Sequence, residues 1–263
     1  MDYETITYEI VEPGIGLLSL NRPQAYNAVN RPMMRELNAF WAARVHDERV
    51  NVIILKGSGK GFCAGLDLKD SAEAMANLNM QDALDYQIGL TGIIAAMRKT
   101  PQPIIAVAHG AAMGLGFSFT LAADVRVIAD DARFSAAYIN VGLGGADMAC
   151  SYLLPRMIGT GRAYEMMLTG ATLSAAEVMG LGLASRMVPR DDLLETTLQL
   201  ARVMQTKNPL GLRMTKQAIN TGLHAGSLEQ AIQMENLTQV FLAAKAMLES
   251  GKALNSTLEN KSA

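Results

Sequence analysis

The sequence predicts an α/β fold in which short buried strands alternate with helices. Three observations carry that prediction. Apolar runs rich in β-branched residues occur at 51–55, 103–108 and 125–128, each too short for a helix and bounded by turn residues. Stretches with apolar residues at helical spacing lie between and after them. Glycine-rich connections follow two of the strands, at 57–70 and 109–124.

Taken in order, residues 5–21 read as a hairpin that turns at Pro13-Gly14-Ile15-Gly16. Gly14-Ile15-Gly16 is half of a dinucleotide fingerprint, but residues 17–20 continue as strand and not helix, which excludes that reading. Asn30 is placed to cap a helix whose apolar positions are Met33, Leu37, Phe40, Trp41 and Val45. The 57–70 stretch is no phosphate loop, because Lys60 is followed by Gly61 where serine or threonine is required. Its Phe62-Cys63-Ala64-Gly65 core is too apolar for a solvent loop and must face a pocket or a partner. Residues 71–87 are expected to wall a pocket, followed by a helix carrying Leu90, Ile93, Ile94 and Met97; Thr100-Pro101-Gln102-Pro103 stops it.

The 109–124 stretch joins a buried strand to a helix (117–123) through a turn containing Gly110, Gly114 and Gly116. Glycines there let backbone approach closely, and the helix aims unpaired N–H groups outward. Two readings stand: a site for an anion or a developing oxyanion, or tight strand-to-helix packing. Further strands are expected at 125–128 and 132–134, then a glycine loop at 141–146 leading through Asp147 into a segment ending at Leu154-Pro155-Arg156. Everything after Gly159 reads as predominantly helical. Ser174 with Glu177 and Ser227 with Gln230 match capping boxes, and Leu237, Phe241, Ala244 and Leu248 form an apolar stripe that needs a partner.

Composition narrows the function classes. With 263 residues the chain has ample material for one large domain or one and a half. No apolar run reaches the roughly 18 to 20 residues a membrane span needs. The net charge of −2, with scattered cations, gives no footprint for nucleic acid or an anionic bilayer. The acidic start Met1-Asp2-Tyr3-Glu4 lacks a secretory h-region, so a cytoplasmic location is expected. Two cysteines and three separated histidines make neither a disulfide framework nor a metal site. The 17 methionines fit core filling or a deformable apolar pocket.

Several motifs, in this order and spacing, resemble the crotonase superfamily, the enoyl-CoA hydratase/isomerase family, over nearly the whole chain. They are Leu20-Asn21-Arg22-Pro23 followed by Asn27-Ala28-Val29-Asn30; Gly61-Phe62-Cys63-Ala64-Gly65-Leu66-Asp67-Leu68; the Gly110 to Gly116 turn; Val141-Gly142-Leu143; Leu153-Leu154-Pro155-Arg156 with Gly159; and Asn208-Pro209-Leu210 before Lys216. The resemblance implies a crotonase-like spiral of strand-strand-helix repeats over residues 1–200 and a helical C-terminal trimerisation region over 201–263. The expected assembly is a homotrimer or a hexamer made as a dimer of trimers. It also implies an acyl-CoA thioester substrate whose carbonyl oxygen sits between the backbone N–H groups of Leu66 and Leu115. Coenzyme A, part of the substrate and not a tightly bound cofactor, is expected along Arg22, Ala25, Tyr26, Ala28, Ala64 and Leu66, with Phe241 of a neighbour contributing.

The sequence departs from the family's hydratases where they carry two glutamates. Ser118 and Tyr138 stand at those positions. Losing a positioned acid or base costs about 10²- to 10⁴-fold per group, so efficient two-glutamate hydration is not expected. Asp147 is the candidate catalytic carboxylate, its rival role being a helix cap; Tyr138 lines the pocket or donates its O–H. Isomerase-type proton transfer is the leading expectation. A nucleophilic dehalogenase or hydrolase chemistry at Asp147, and a non-catalytic acyl-CoA-binding protein, are the alternatives. A Ser118–His109 nucleophilic pair is disfavoured, since no third group orients it.

Overall fold

The computed structural model describes residues 3–75 and 79–259. The chain divides into two compact units, Met1–Thr206 and Lys207–Ala263.

The first unit is built on a six-stranded sheet. β1 (Ile6–Glu12) and β2 (Gly14–Leu20) form the antiparallel hairpin, with Ile6 opposite Leu20. The turn is tighter than the sequence suggests. Gly14, Ile15 and Gly16 belong to β2, because parallel pairing with β3 (Val50–Gly57) extends down to Gly14 opposite Val50. Between these strands runs α1 (Arg31–Arg44), whose first turn is capped by the Asn30 side chain accepting from the Met33 N–H at 3.1 Å. Met33, Leu37, Phe40 and Trp41 are buried as their spacing requires. Val45 is not in that stripe: it is exposed, and Arg44 takes the position. The Arg44 guanidinium lies 4.8 Å and 4.9 Å from the Tyr8 and Phe40 rings and pairs with Asp47 at 2.8 Å, so its charge is compensated on both sides.

After β3 come α2 (Leu68–Met75) and α3 (Met80–Lys99), which buries Tyr86, Leu90, Ile93, Ile94 and Met97. Part of the expected pocket wall, residues 76–78, lies outside the described residues. β4 (Ile104–Ala108) is buried throughout. The connection that follows is more than the expected turn. Ala111–Met113 forms β5, and α4 (Leu115–Ala122) begins two residues earlier than predicted. Ala111-Ala112-Met113 holds no β-branched or aromatic residue to mark it as strand, and only pairing with a distant segment makes it one.

β6 (Val125–Ala129) completes the parallel run and β7 (Arg133–Ser135) pairs with β5. α5 (Cys150–Ile158) and α6 (Thr160–Thr169) follow. The region after Gly159 is not only helical. β8 (Thr172–Ser174) pairs antiparallel with β7, and β9 (Arg186–Val188) adds to β6, with α7 (Ala175–Gly180) between them. The main sheet therefore runs β1-β2-β3-β4-β6-β9 and a small second sheet β5-β7-β8. Ser174 and Glu177 form the capping box read from sequence.

Alternation along the central strands sorts their side chains onto two faces. Ile53, Leu55, Ile104, Ala106, Ala108 and Ile128 join the core with α1, α3 and α4. Val52, Ile54, Ile105, Val107 and Val127 join a second cluster with Leu193 and Ala201 of α8 (Leu193–Gln205). Both faces being covered explains why the strands read as continuous apolar runs.

The second unit contains α9 (Pro209–Gly222), capped by Asn208, and α10 (Leu228–Glu259). The Ser227–Gln230 box is shifted: the Gln230 N–H donates to Ser227 Oγ at 3.3 Å, while Gln230 Oε1 accepts from the Gly226 N–H at 2.9 Å. Leu237, Phe241 and Leu248 are 64%, 56% and 67% exposed. Among the described residues, no helix is long and apolar enough to cross a membrane.

Loop positions at the sheet's edge depend on Asn27. It is fully buried with φ 58°, a left-handed conformation that asparagine tolerates. Its Oδ1 accepts from the Arg22 N–H at 2.9 Å, and its Nδ2 donates to the carbonyls of Ser58, Gly61 and Phe62 at 2.8, 3.0 and 3.1 Å. Asn27→Ala strands these groups and places a Cβ residue without that compensation at positive φ. The expected loss is about 3 kcal/mol, read as a lower urea midpoint at unchanged slope.

Candidate active site

Two loops leave the C-terminal ends of β3 and β4 and are drawn together by main-chain bonds. The Phe62 N–H donates to the His109 carbonyl (2.8 Å), Cys63 N–H to Ala111 (2.9 Å) and Met113 N–H to the Cys63 carbonyl (2.9 Å). On its other side the first loop bridges the segment before α1: Val29 N–H donates to Gly65 and Asp67 N–H to Val29, 2.8 and 2.9 Å. Because Val29 bonds the residues flanking Leu66, the Leu66 N–H is turned to the opposite side. Leu115 is the first residue of α4, and its N–H has no acceptor within the helix. Neither amide donates to a protein acceptor among the described residues.

Two glycines permit this approach. A Cβ on Gly116 would lie 2.2 Å from the Cys63 carbonyl oxygen. One on Gly65, whose φ is +97°, would lie 2.7 Å from the Met113 oxygen and 3.5 Å from Leu115 N. The Leu66 and Leu115 amides thus belong to backbone segments in contact, at the mouth of a 460 Å³ cavity that both residues line.

The cavity walls are largely apolar, with Leu68, Ala72, Leu90, Val141 and Leu143 among them, and a few polar side chains converge on it. Asp147 is one. Its Oδ1 accepts from Gln87 Nε2 at 2.8 Å and from the Met148 N–H at 2.7 Å; both bonds fall on one oxygen, and among the described residues Oδ2 takes none. The capping role weighed for Asp147 is overturned. The N-cap of α5 is Ala149, with no side-chain cap. Met148 and Ala149 hold φ values of 47° and 60°, two consecutive non-glycine residues in the left-handed region, which costs on the order of 1–3 kcal/mol each. Such strain beside a cavity carboxylate marks the loop as shaped for more than chain reversal.

Tyr138 sits on a short 3-10 turn, Ala137–Val141, nine-tenths buried, and its hydroxyl meets Ser118 Oγ of α4 at 2.7 Å. Burial pushes the phenol well above its ordinary range, so it is a neutral O–H at any physiological pH. Ser118 is fully buried. Ser118 and Tyr138, the positions expected from the resemblance to match hydratase glutamates, therefore form one hydroxyl pair without a carboxylate. His109 is elsewhere engaged: its Nε2 lies 3.0 Å from the Gly59 carbonyl, and burial lowers its pKa. No Ser118–His109 pair forms.

The expected coenzyme A residues fall into four groups. Arg22 donates to Asp67 at 3.0 Å and to the Ala28 carbonyl, so its guanidinium braces the segment between β2 and α1 against the loop after β3. Ala25, Tyr26 and Ala28 lie on the segment between β2 and α1; Tyr26 is half exposed, and its carbonyl accepts from the Ala64 N–H at 2.9 Å. Ala64 and Leu66 line the cavity mouth. Phe241 lies on α10 in the second unit. Sequence reasoning missed Gln87, Tyr86 and Ser71 as individual cavity residues. Tyr86 and Gln87 lie four and three residues before Leu90, so extending the α3 stripe one turn toward the N-terminus finds both.

Among the described residues no three His, Cys, Asp or Glu side chains cluster as metal ligands. Comparison with known proteins is concordant. The family model described as Enoyl-CoA hydratase/isomerase matches residues 11–262. A Mycobacterium leprae protein named "Probable enoyl-CoA hydratase echA12" is 38% identical over 250 residues, covering 92% of this chain and 85% of its own. The 1,2-epoxyphenylacetyl-CoA isomerase of Escherichia coli is 32% identical over 225 residues, 86% and 85% of the two chains. Among solved structures, a monofunctional enoyl CoA isomerase from M. smegmatis is similar with a TM-score of 0.74 at 39% identity, covering 87% of this chain and 98% of that one. An enoyl-CoA hydratase from Bacillus anthracis is similar with a TM-score of 0.87 at 28% identity, covering 97% of each.

The thiols near this site are inert. Burial pushes both Cys63 and Cys150 up to about 12, leaving a thiolate fraction of about 10⁻⁴ at pH 8. Ellman's reagent at pH 8 is expected to label neither in the native protein and both in denaturant.

Proposed function

Because this chain belongs to the enoyl-CoA hydratase/isomerase family, we propose that it moves a double bond within an acyl-CoA thioester by carboxylate-mediated proton transfer. The observation that carries the proposal is the distribution of carboxylates. Asp147 lines the cavity with both of its side-chain hydrogen bonds among the described residues on Oδ1, while the Ser118–Tyr138 pair supplies no carboxylate. Hydration by two glutamates needs carboxylates at both positions of that pair; isomerisation needs one.

In the proposed reaction the thioester carbonyl oxygen accepts from the Leu66 and Leu115 N–H groups. Asp147 Oδ2 takes a proton from C2 of a 3-enoyl thioester. The C–H electron pair enters the carbonyl system as an enolate, which the two amides stabilise by roughly 3 to 4 kcal/mol per donor. Asp147 returns the proton to C4, the C3–C4 double bond becomes C2–C3, and the carboxylate is restored. Gln87 and the Met148 N–H hold Oδ1, so the other oxygen carries the proton. Relatives are named both as hydratases and as isomerases, and the residues at the cavity favour the second. Coenzyme A would run over Ala25, Tyr26, Ala28 and Ala64, on loops that Arg22 braces. Exposure of Leu237, Phe241 and Leu248 supports a homotrimer or hexamer closed through α10.

Incubating the protein with 2-enoyl-, 3-enoyl-, 3,5-dienoyl- and aryl-CoA thioesters in D₂O, read by mass spectrometry, tests this. Deuterium uptake with a shifted double bond and no added water is expected. Asp147→Asn should lower kcat by about 10²- to 10⁴-fold with little change in KM. Rapid water addition to 2-enoyl-CoA, or full activity in the Asn variant, would refute the proposal. In a parallel incubation in H₂¹⁸O, displacement of halide or CoA thiolate by Asp147 oxygen, followed by hydrolysis at the Asp147 carboxyl carbon that leaves ¹⁸O in the carboxylate, would favour the nucleophilic reading, and tight binding without exchange a binding protein.

A further inference from the structure

Proton transfer at Asp147 leaves a second hydroxyl pair of the cavity without a role. Ser71 of α2 and Tyr86 of α3 both line it, 5% and 8% exposed, with their oxygens 3.0 Å apart. Neither hydroxyl makes another hydrogen bond among the described residues. Burial raises the Tyr86 phenol above its ordinary range, so it keeps its proton. The pair then carries two protons, and the bond between the oxygens uses one. Whichever hydroxyl donates, one O–H is left over.

That donor sits beside Leu68, Ala72 and Leu90. Water can satisfy it while the cavity is open. An acyl chain that fills the cavity expels the water, and a hydrocarbon chain offers nothing in exchange. We infer that the Ser71–Tyr86 pair recognises a neutral oxygen on the acyl chain, making hydroxy-, oxo- or ether-bearing acyl-CoA thioesters the preferred ligands over plain hydrocarbon ones. The oxygen is neutral because, among the described residues, no lysine or arginine lines this cavity, so a carboxylate on the chain would find no cationic partner there. The inference rests on the acyl-CoA reading of the cavity and is independent of what Asp147 does.

The test is calorimetric titration of the full-length protein with octanoyl-CoA and a series in which one chain methylene at a time is replaced by an ether oxygen. All are saturated, so binding is read without double-bond migration. An ether oxygen is better hydrated than a methylene, and each replacement weakens binding unless a donor meets it. One position in the series is expected to bind about tenfold more tightly than octanoyl-CoA. The gain should vanish in the Ser71→Ala/Tyr86→Phe double variant, which deletes both oxygens and leaves the packing nearly unchanged. A series in which no ether exceeds octanoyl-CoA overturns the inference on the wild-type protein alone, with the acyl-CoA reading intact. A gain that survives the double variant also overturns it. Failure of every thioester to bind overturns the acyl-CoA reading and this inference together.

Discussion

The site depends on one constraint, the contact of backbone with backbone where the loop after β3 meets the start of α4. Gly116 stands against the Cys63 carbonyl with no room for a methyl group, and Gly65 stands against Met113 in the same way. Residues 62–66 are held in that narrow space from both sides, by β5 through Cys63 and by the Val29 segment through Leu66. Two parallel bridges and two missing side chains thereby bring Leu66 and the first residue of α4 to the lining of one cavity. Glycine's conformational cost, about 0.5–1 kcal/mol per residue, is small beside the several main-chain bonds the contact permits.

Around that contact the cavity keeps its polar groups in pairs. Asp147 with Gln87, Ser118 with Tyr138, and Ser71 with Tyr86 each hold a hydrogen bond of 2.7 to 3.0 Å in an apolar wall. Pairing lowers the desolvation cost of each group without consuming its chemistry. A carboxylate engaged through one oxygen retains the other, and two hydroxyls sharing one proton retain a second. The largest local expense is conformational, at Met148 and Ala149. The two bonds on Asp147 Oδ1, one from the Gln87 side-chain amide and one from the adjacent backbone N–H, offset part of it and hold that oxygen in place.

Much of the fold was legible because local chemistry and tertiary context agree there. The Asn30 cap, the Ser174–Glu177 box, the α3 stripe and the buried runs at β3, β4 and β6 follow from spacing alone. Three elements were not. β5, β8 and β9 have three residues each, and their strand character comes from partners more than ten residues distant along the chain. Val45 and Arg44 exchanged roles because two aromatic rings and Asp47 make burial of a guanidinium affordable, which no periodicity of apolar residues encodes.

For the site, the sequence by itself supplied an inventory: glycines that admit close backbone approach, one aspartate weighed between catalysis and a helix cap, and serine and tyrosine where the resemblance expects hydratase carboxylates. Order and spacing of motifs also determined the family. Only the tertiary structure decided how that inventory is used. It removed Asp147 from the helix cap, joined it to Gln87 sixty residues away, and paired Ser118 with Tyr138 and Ser71 with Tyr86. The physical reason is that hydrogen bonds act over about 3 Å in space and carry no signature along the chain, whereas backbone conformation and hydrophobic periodicity are written residue by residue.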